Sequence, residues 1–252
     1  MSHRLQNKIL SRIKELKNGV AMLIDPEKSS DTELLKRNIT GAVACGIDLF
    51  LVGGSTVTRQ ELEVIVHFIK KHTSIPVVLF PGSSQQVCQQ ADALLFLSLI
   101  SGRNPDYLIG HHVAAAGELF YSELEVIPTG YLLIDGGHLT SVAYVSQTSP
   151  IPRDQCSIVR STVMAGILLG QQLIYLDAGS GADYPVPSEM ISEVSKLGCP
   201  LIVGGGIRSI DMIRDAHRAG AKLVVIGNYL EDHPDFLLDI ASYKKTIKQA
   251  TQ

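Results

Sequence analysis

Glycines cluster in three segments of the second half of the chain: Tyr175-Leu176-Asp177-Ala178-Gly179-Ser180-Gly181, Val203-Gly204-Gly205-Gly206-Ile207-Arg208 and Gly227-Asn228. Each follows a run of apolar residues. A glycine has no Cβ to hold an anion away from the backbone, and the N–H groups opening a following helix add the positive end of its dipole. Together the segments describe a phosphate cradle, although glycines also serve simply to make tight strand-to-helix turns. A second chemistry lies near the start of the chain. Asp25 ends the first apolar run and Ser55 follows the second, which offers a carboxylate and a hydroxyl oxygen to one hard cation such as Mg2+. Magnesium keeps waters and shares positions with substrate phosphates, so two protein oxygens suffice. The local alternatives are an Asx-turn at Asp25 ahead of Pro26 and a helix cap at Ser55. Lys28 reads as a phosphate contact or a solvated loop charge, and Arg103 and Arg208 as phosphate contacts or salt-bridge partners.

Other chemistry-bearing types are discounted. His111 and His112 are consecutive in an expected helix, where neighbouring side chains diverge by about 100°, so they read as surface histidines rather than a ligand pair. Cys45, Cys88, Cys156 and Cys199 form no C-x-x-C pair and are expected to be free, buried or partly buried thiols. Spacing alone identifies no Ser-His-Asp or Cys-His set, and Phe120-Tyr121 reads as packing.

The elements that must position these residues alternate between two hydrophobic patterns. Leu5, Ile9, Ile13 and Leu16 recur at helical spacing and Asn18-Gly19 supplies a stop, so an amphipathic helix precedes the first strand. Gly19 to Asp25 is that strand, and Ser30-Asp31-Thr32-Glu33 reads as a capping box before a helix. Ile47 to Val52 is a second strand, followed by a helix capped by Thr58 and Glu61, and Pro76 to Phe80 is a third. Only Pro81 to Gln90 separates it from the Ala91 to Ser98 strand, too little for a helix and its connections. Asn104-Pro105 opens the next helix. A fifth strand begins near Leu124, and Tyr131 to Asp135 with Ser141 to Ser146 flank Gly136-Gly137-His138 as an expected hairpin ahead of a Cys156 to Leu169 helix. Leu173 to Ala178, Pro200 to Val203 and Lys222 to Ile226 are the last strands. About eight strand–helix alternations without a linker predict one (β/α)8 barrel over residues 1–252, with chemistry on the loops after the strands and phosphate on the last of them.

Composition agrees. The 252 residues are 45% hydrophobic and 19% charged, with 22 Gly and 11 Pro, which suits a globular core and argues against disorder. A net charge of −3 leaves no positive field for nucleic acid. No apolar run approaches the ~18 residues of a membrane span, and no signal-peptide h-region precedes the first helix, so a cytoplasmic protein with reduced thiols is expected.

Taken in order, Asp25-Pro26-Glu27-Lys28, Val52-Gly53-Gly54-Ser55, Phe80-Pro81-Gly82-Ser83, Ser101 to Gly110, Val126-Ile127-Pro128-Thr129 and the three glycine segments resemble the geranylgeranylglyceryl phosphate synthase family, archaeal enzymes and their bacterial relatives. The resemblance covers nearly the whole chain. It implies a barrel whose helix after strand three is replaced by a non-helical segment, and transfer of a prenyl group, geranylgeranyl for preference, from its diphosphate to the 3-hydroxyl of sn-glycerol 1-phosphate. It further implies that Asp25 and Ser55 place Mg2+ on the departing diphosphate. Tyr175 to Gly181, Gly205, Gly206, Gly227 and Asn228 would hold the glycerol phosphate, with Lys28 beside them. Many members have Glu where this chain has Asp177, the residue expected to orient or deprotonate the glycerol hydroxyl; Tyr175 would close over the substrate or line the core. A homo-oligomer is expected, with transient membrane contact to release a lipid product. The competing readings are a sugar-phosphate isomerase or lyase on the same fold and a non-catalytic scaffold.

Overall fold

Short apolar runs that are buried on both faces can satisfy their backbone only between two neighbours, and here they do so in a ring. The structure, a computed structural model, describes residues 7–29, 31–227 and 229–250. Its strands are β1 (Gly19–Ile24), β2 (Leu49–Val52), β3 (Val77–Leu79), β4 (Ala93–Leu99), β5 (Glu125–Leu133), β6 (Leu173–Asp177), β7 (Leu201–Gly204) and β8 (Leu223–Ile226). They pair in parallel, in chain order, and β1 closes on β8 with Gly19 opposite Leu223, giving the (β/α)8 barrel expected from the alternation. The helices are α1 (Lys8–Glu15), α2 (Thr32–Cys45), α3 (Arg59–His72), α4 (His111–Phe120), α5 (Ser141–Ser146), α6 (Cys156–Leu168), α7 (Ser188–Ser195), α8 (Ile210–Arg218), α9 (Tyr229–Asp232) and α10 (Phe236–Ala250).

Strand alternation sorts the core into two layers. Ala21, Leu49, Leu51, Val78, Leu95, Ile127, Leu173, Leu223 and Val225 fill the barrel interior, whereas Val20, Met22, Phe50, Val52, Leu94, Leu176, Val203 and Val224 face the helices. Ile9, Leu10 and Ile13 of α1 join the interior layer. Glu125, at the start of β5, accepts the Ile9 and Leu10 amides at 2.7 and 2.8 Å, satisfying two orphan donors at the helix N-terminus. The amino end of the barrel is thereby plugged, and the carboxyl end is left for ligands.

No helix lies between β3 and β4. Buried Gln86 holds that segment instead: its Nε2 donates to the Gly54 and Val57 carbonyls at 3.0 and 2.8 Å, and its Oε1 accepts the Gly82 amide at 2.8 Å. The capping box of α3 is present at Thr58 and Glu61. At α2 the cap is Asp31, whose Oδ1 accepts the Glu33 and Leu34 amides; Ser30 lies outside the described residues.

The expected hairpin around Gly136-Gly137 does not form. Glu125 to Leu133 is one strand, because β4 and β6 flank it along that length and satisfy its backbone. Ser141 to Ser146 is helix α5, capped by Thr140 and ended by Gln147 at φ 53°. Its short alternation suits either period, and no free strand edge is available to pair with it. Among the described residues no helix is long and apolar enough to cross a membrane. All four cysteines are free thiols, Cys45 and Cys88 buried and the other two partly so.

Candidate active site

A cavity of about 680 Å³ opens at the carboxyl end of the barrel. One wall is the pair of loops after β6 and β7. Gly179, Gly181, Gly205 and Gly206 all have positive φ, at 91°, 75°, 81° and 68°. A Cβ on Gly205 would lie 2.6 Å from the Gly179 nitrogen and 2.7 Å from Asp177 Oδ1, so only glycine lets the two loops meet. Arg208 straps them together, donating from Nη2 to the Ala182 carbonyl at 2.7 Å and the Gly181 carbonyl at 3.3 Å. Gly227 continues the wall after β8, where a Cβ would meet only Leu23 at 3.5 Å or beyond. Asn228 lies outside the described residues. Tyr175, Asp177, Gly179, Ser180 and Gly181 line the cavity; Leu176 and Ala178 do not, since both side chains are buried in the layer facing the helices.

Asp177, at the end of β6, is buried and holds both oxygens in fixed contacts. Oδ2 accepts the Tyr131 hydroxyl at 2.6 Å and Oδ1 accepts the Gly179 amide at 2.8 Å. Burial pushes its carboxyl above the usual carboxylate range, and these two hydrogen bonds offset part of that rise. Tyr175 is fully buried, its ring stacked on Phe80 at 5.2 Å and edge-on to Tyr131 at 5.5 Å. Gly204 leaves room for it: a Cβ there would lie 2.5 Å from the Tyr175 hydroxyl. Tyr175 therefore forms the cavity floor, which is the core-lining reading, and is not held as a lid.

Across the mouth, Asp25 caps the short 3-10 turn Pro26–Lys28, its Oδ1 accepting the Glu27 amide at 3.2 Å. The Asx-turn is thus real, and it aims the carboxylate at the β2 loop, where a Cβ on Gly54 would lie 2.9 Å from Oδ1. Burial raises the Asp25 carboxyl, with the Glu27 amide and then the Lys28 charge pulling it back. Ser55 lines the cavity beside it and does not cap α3, because Thr58 does. Lys28 lies on the same rim.

The cavity also runs sideways into the flank without a helix, where Val87, Leu94, Phe96, Ala115 and Leu119 form an apolar wall. His112 belongs to this wall, which corrects its reading as a surface residue. It is 7% exposed, packs edge-on to Phe96 at 4.3 Å and brings Nε2 within 3.2 Å of the Ser98 hydroxyl. It shares the buried face of α4 with Ala115 and Leu119, on the helix that follows the π-helical turn Asp106–Gly110. Tyr131, expected at the start of a hairpin, instead lies within β5 and lines the cavity, a position that only its shared strand parity with Leu133 signals in the sequence.

The sequence model of the PcrB family matches residues 11–246. The chain belongs to this family. Its relatives include the geranylgeranylglyceryl phosphate synthases of Zunongwangia profunda, 49% identical over 91% of this chain and 97% of that one, and of Korarchaeum cryptofilum, 38% identical over 91% and 94%. Among solved structures, the Thermoplasma acidophilum (S)-3-O-geranylgeranylglyceryl phosphate synthase in complex with its substrate sn-glycerol-1-phosphate superposes with a TM-score of 0.87 and 32% identity, over 96% of this PcrB-family chain and 97% of that enzyme. A thiamine phosphate pyrophosphorylase from Pyrococcus furiosus shares the barrel, with a TM-score of 0.59 at 11% identity, and speaks to the fold alone.

Proposed function

We propose that this PcrB-family chain joins a prenyl group, geranylgeranyl for preference, to the 3-hydroxyl of sn-glycerol 1-phosphate by an ether bond, releasing diphosphate. The observation that carries the reading is the continuity of one cavity from the glycine cradle, past Asp177 and Asp25, into the apolar flank left by the missing helix. A small phosphate ester, an anionic leaving group and a hydrocarbon tail each meet their complement there. An isomerase or lyase acting on a sugar phosphate would have no use for the apolar branch.

The cradle would bind the glycerol phosphate through the backbone amides of Gly179 to Gly181, Gly205, Gly206 and Gly227, with Asn228 next in sequence. Asp177 would be the base on which the proton of the 3-hydroxyl ends, its basicity raised by burial. Lys28 and the backbone at Gly54 and Ser55 face the leaving group. The donors around Asp25 suit magnesium. Among the described residues no three His, Cys, Asp or Glu side chains gather into a metal cage, yet one half-buried carboxylate beside a hydroxyl fits an ion that borrows further oxygens from a diphosphate. Bound by Asp25 and Ser55, Mg2+ would neutralise the charge that builds on departing diphosphate.

Labelled sn-glycerol 1-phosphate, geranylgeranyl diphosphate and Mg2+ should yield a labelled, organic-extractable ether lipid with equimolar diphosphate. Absence of product with prenyl diphosphates of every length would refute the assignment.

A further inference from the structure

Asp177 cannot approach a substrate freely. It is a short side chain at the end of β6, and each of its oxygens is pinned to the wall, one by the Gly179 amide and the other by the Tyr131 hydroxyl. The β5–β6 register puts Tyr131 opposite Tyr175 and Leu133 opposite Asp177, so Tyr131 stands one inward position deeper and its ring reaches up to the carboxylate. Its hydroxyl spends its only hydrogen on Asp177 Oδ2. What remains on that oxygen is a lone pair, and Tyr131 lines the cavity. An alcohol lying there meets an acceptor that is already hydrogen-bonded to a base.

We propose that Tyr131 is a catalytic residue that relays the proton: its oxygen takes the proton of the acceptor alcohol while its own proton passes to Asp177 Oδ2. This rests on the ether-forming reading above and adds to it the path of the proton. The step balances. The glycerol oxygen forms a bond to C1 of the prenyl group as the bond from C1 to the diphosphate oxygen breaks, and the electron pair leaves with diphosphate. The hydroxyl proton arrives at Tyr131, which ends neutral, and Asp177 ends as the carboxylic acid.

Two features of the surroundings favour a concerted relay over an ionised tyrosine. Burial and the Asp177 charge push the Tyr131 phenol well above its ordinary range, so it does not give up its proton without receiving another. The ring is also held edge-on to Phe80 at 5.8 Å and to Tyr175 at 5.5 Å, which limits movement of the hydroxyl away from Asp177.

The test uses single-turnover rates with sn-glycerol 1-phosphate and geranylgeranyl diphosphate. Tyr131→Phe removes one oxygen and leaves the packing, so the rate should fall by about a hundredfold or more, the scale of a lost acid–base group, while glycerol phosphate affinity stays within about threefold. Adding Asp177→Glu to Tyr131→Phe should restore at least about tenfold, because the extra methylene carries the carboxylate toward the alcohol that the relay had bridged. The wild-type rate in mixed H2O and D2O should depend on deuterium fraction with the curvature of two moving protons, and the double variant with the line of one. A Tyr131→Phe rate near wild type, a double variant no faster than Tyr131→Phe, or a linear wild-type dependence would each overturn the relay and leave ether formation standing. A wild-type protein that makes no ether would sink the underlying reading instead.

Discussion

At the scale of single residues, the site separates positions that need glycine for geometry from those that merely carry it. Gly205 sits at φ 81° with the Gly179 and Ala178 nitrogens within 2.7 Å of its missing Cβ. Gly205→Ala should therefore push the two cradle loops apart. Losing one charge-assisted amide contact at roughly 1.5 to 3 kcal/mol corresponds to glycerol phosphate binding weakened about ten- to a hundredfold. Gly227 has no such constraint, since its Cβ would make ordinary contact with Leu23, so Gly227→Ala should keep its thermal midpoint. Thermal denaturation of both variants checks the contrast, and isothermal titration checks the loss at Gly205, where an affinity equal to wild type would place the phosphate elsewhere. On the opposite rim, Asp25→Asn keeps the volume and the Glu27 turn but removes the charge. Turnover at saturating substrate should drop by about two orders of magnitude or more, with the circular dichroism spectrum unchanged. Near-normal, magnesium-dependent turnover in that variant would exclude Asp25 as a ligand.

At the scale of elements, the segment between β3 and β4 has more influence than any helix it replaces. A regular barrel helix there would cover Leu94 and Phe96; the non-helical segment leaves them lining the cavity with Ala115 and Leu119 of α4. Burying each CH2 is worth ~0.8 kcal/mol, so a five-carbon prenyl unit that fits gains substantially and one that overruns gains little. Ala115→Phe narrows this branch. It should cut the efficiency with geranylgeranyl diphosphate by about tenfold or more while sparing shorter donors, measured as kcat/KM across a graded series. A uniform loss at all lengths would mean that the tail does not pass Ala115. The segment itself depends on Gln86, whose three hydrogen bonds bind it to the Gly54–Val57 loop. Gln86→Ala leaves two buried carbonyls and one amide unpaired, so urea denaturation should show a loss of about 2 to 3 kcal/mol.

At the scale of the whole molecule, barrel closure places a titratable group in the seam between β1, α8 and α10. His217 is 9% exposed, with Nε2 at 2.9 Å from the Gly19 carbonyl and Nδ1 at 2.8 Å from the Tyr243 hydroxyl. The carbonyl can only accept, so Nε2 carries the proton and Tyr243 donates to Nδ1. Burial pushes the imidazole down from 6.5 to about 4. Because the folded value is depressed, the unfolded chain takes up a proton first as the solution is acidified. Stability is full above pH 6.5 and falls as pH drops from 6.5 toward about 4, by roughly 3 kcal/mol from this group. His217→Gln can keep a donor to Gly19 without titrating. Its thermal midpoint should start lower at neutral pH yet decline less between pH 6.5 and 4.5; parallel declines would remove His217 as the source.

Much of this was legible in local pattern. Apolar runs interrupted by caps and glycines specify strands, helices and their order, because burial on both faces and N-terminal capping act over a few residues. The loops bearing Asp25, Ser55, Asp177 and Gly205 follow from position alone, since each closes a strand at the open end of the barrel. The short stretch from Pro81 to Gln90 likewise announced a missing helix by its length. Tertiary structure decided the rest. Ser141 to Ser146 suits strand or helix equally, and only the absence of a free edge beside β5 selects helix. His112 turns inward to pack on Phe96 and meet the Ser98 hydroxyl, contacts that depend on how α4 docks on β4. Tyr131 and Asp177 stand 46 residues apart, and their contact exists only once closure of the ring has set the register of β5 on β6. Register is a property of the assembled sheet: each strand carries its own alternation, but which inward side chains meet depends on how all eight strands stagger to close the barrel.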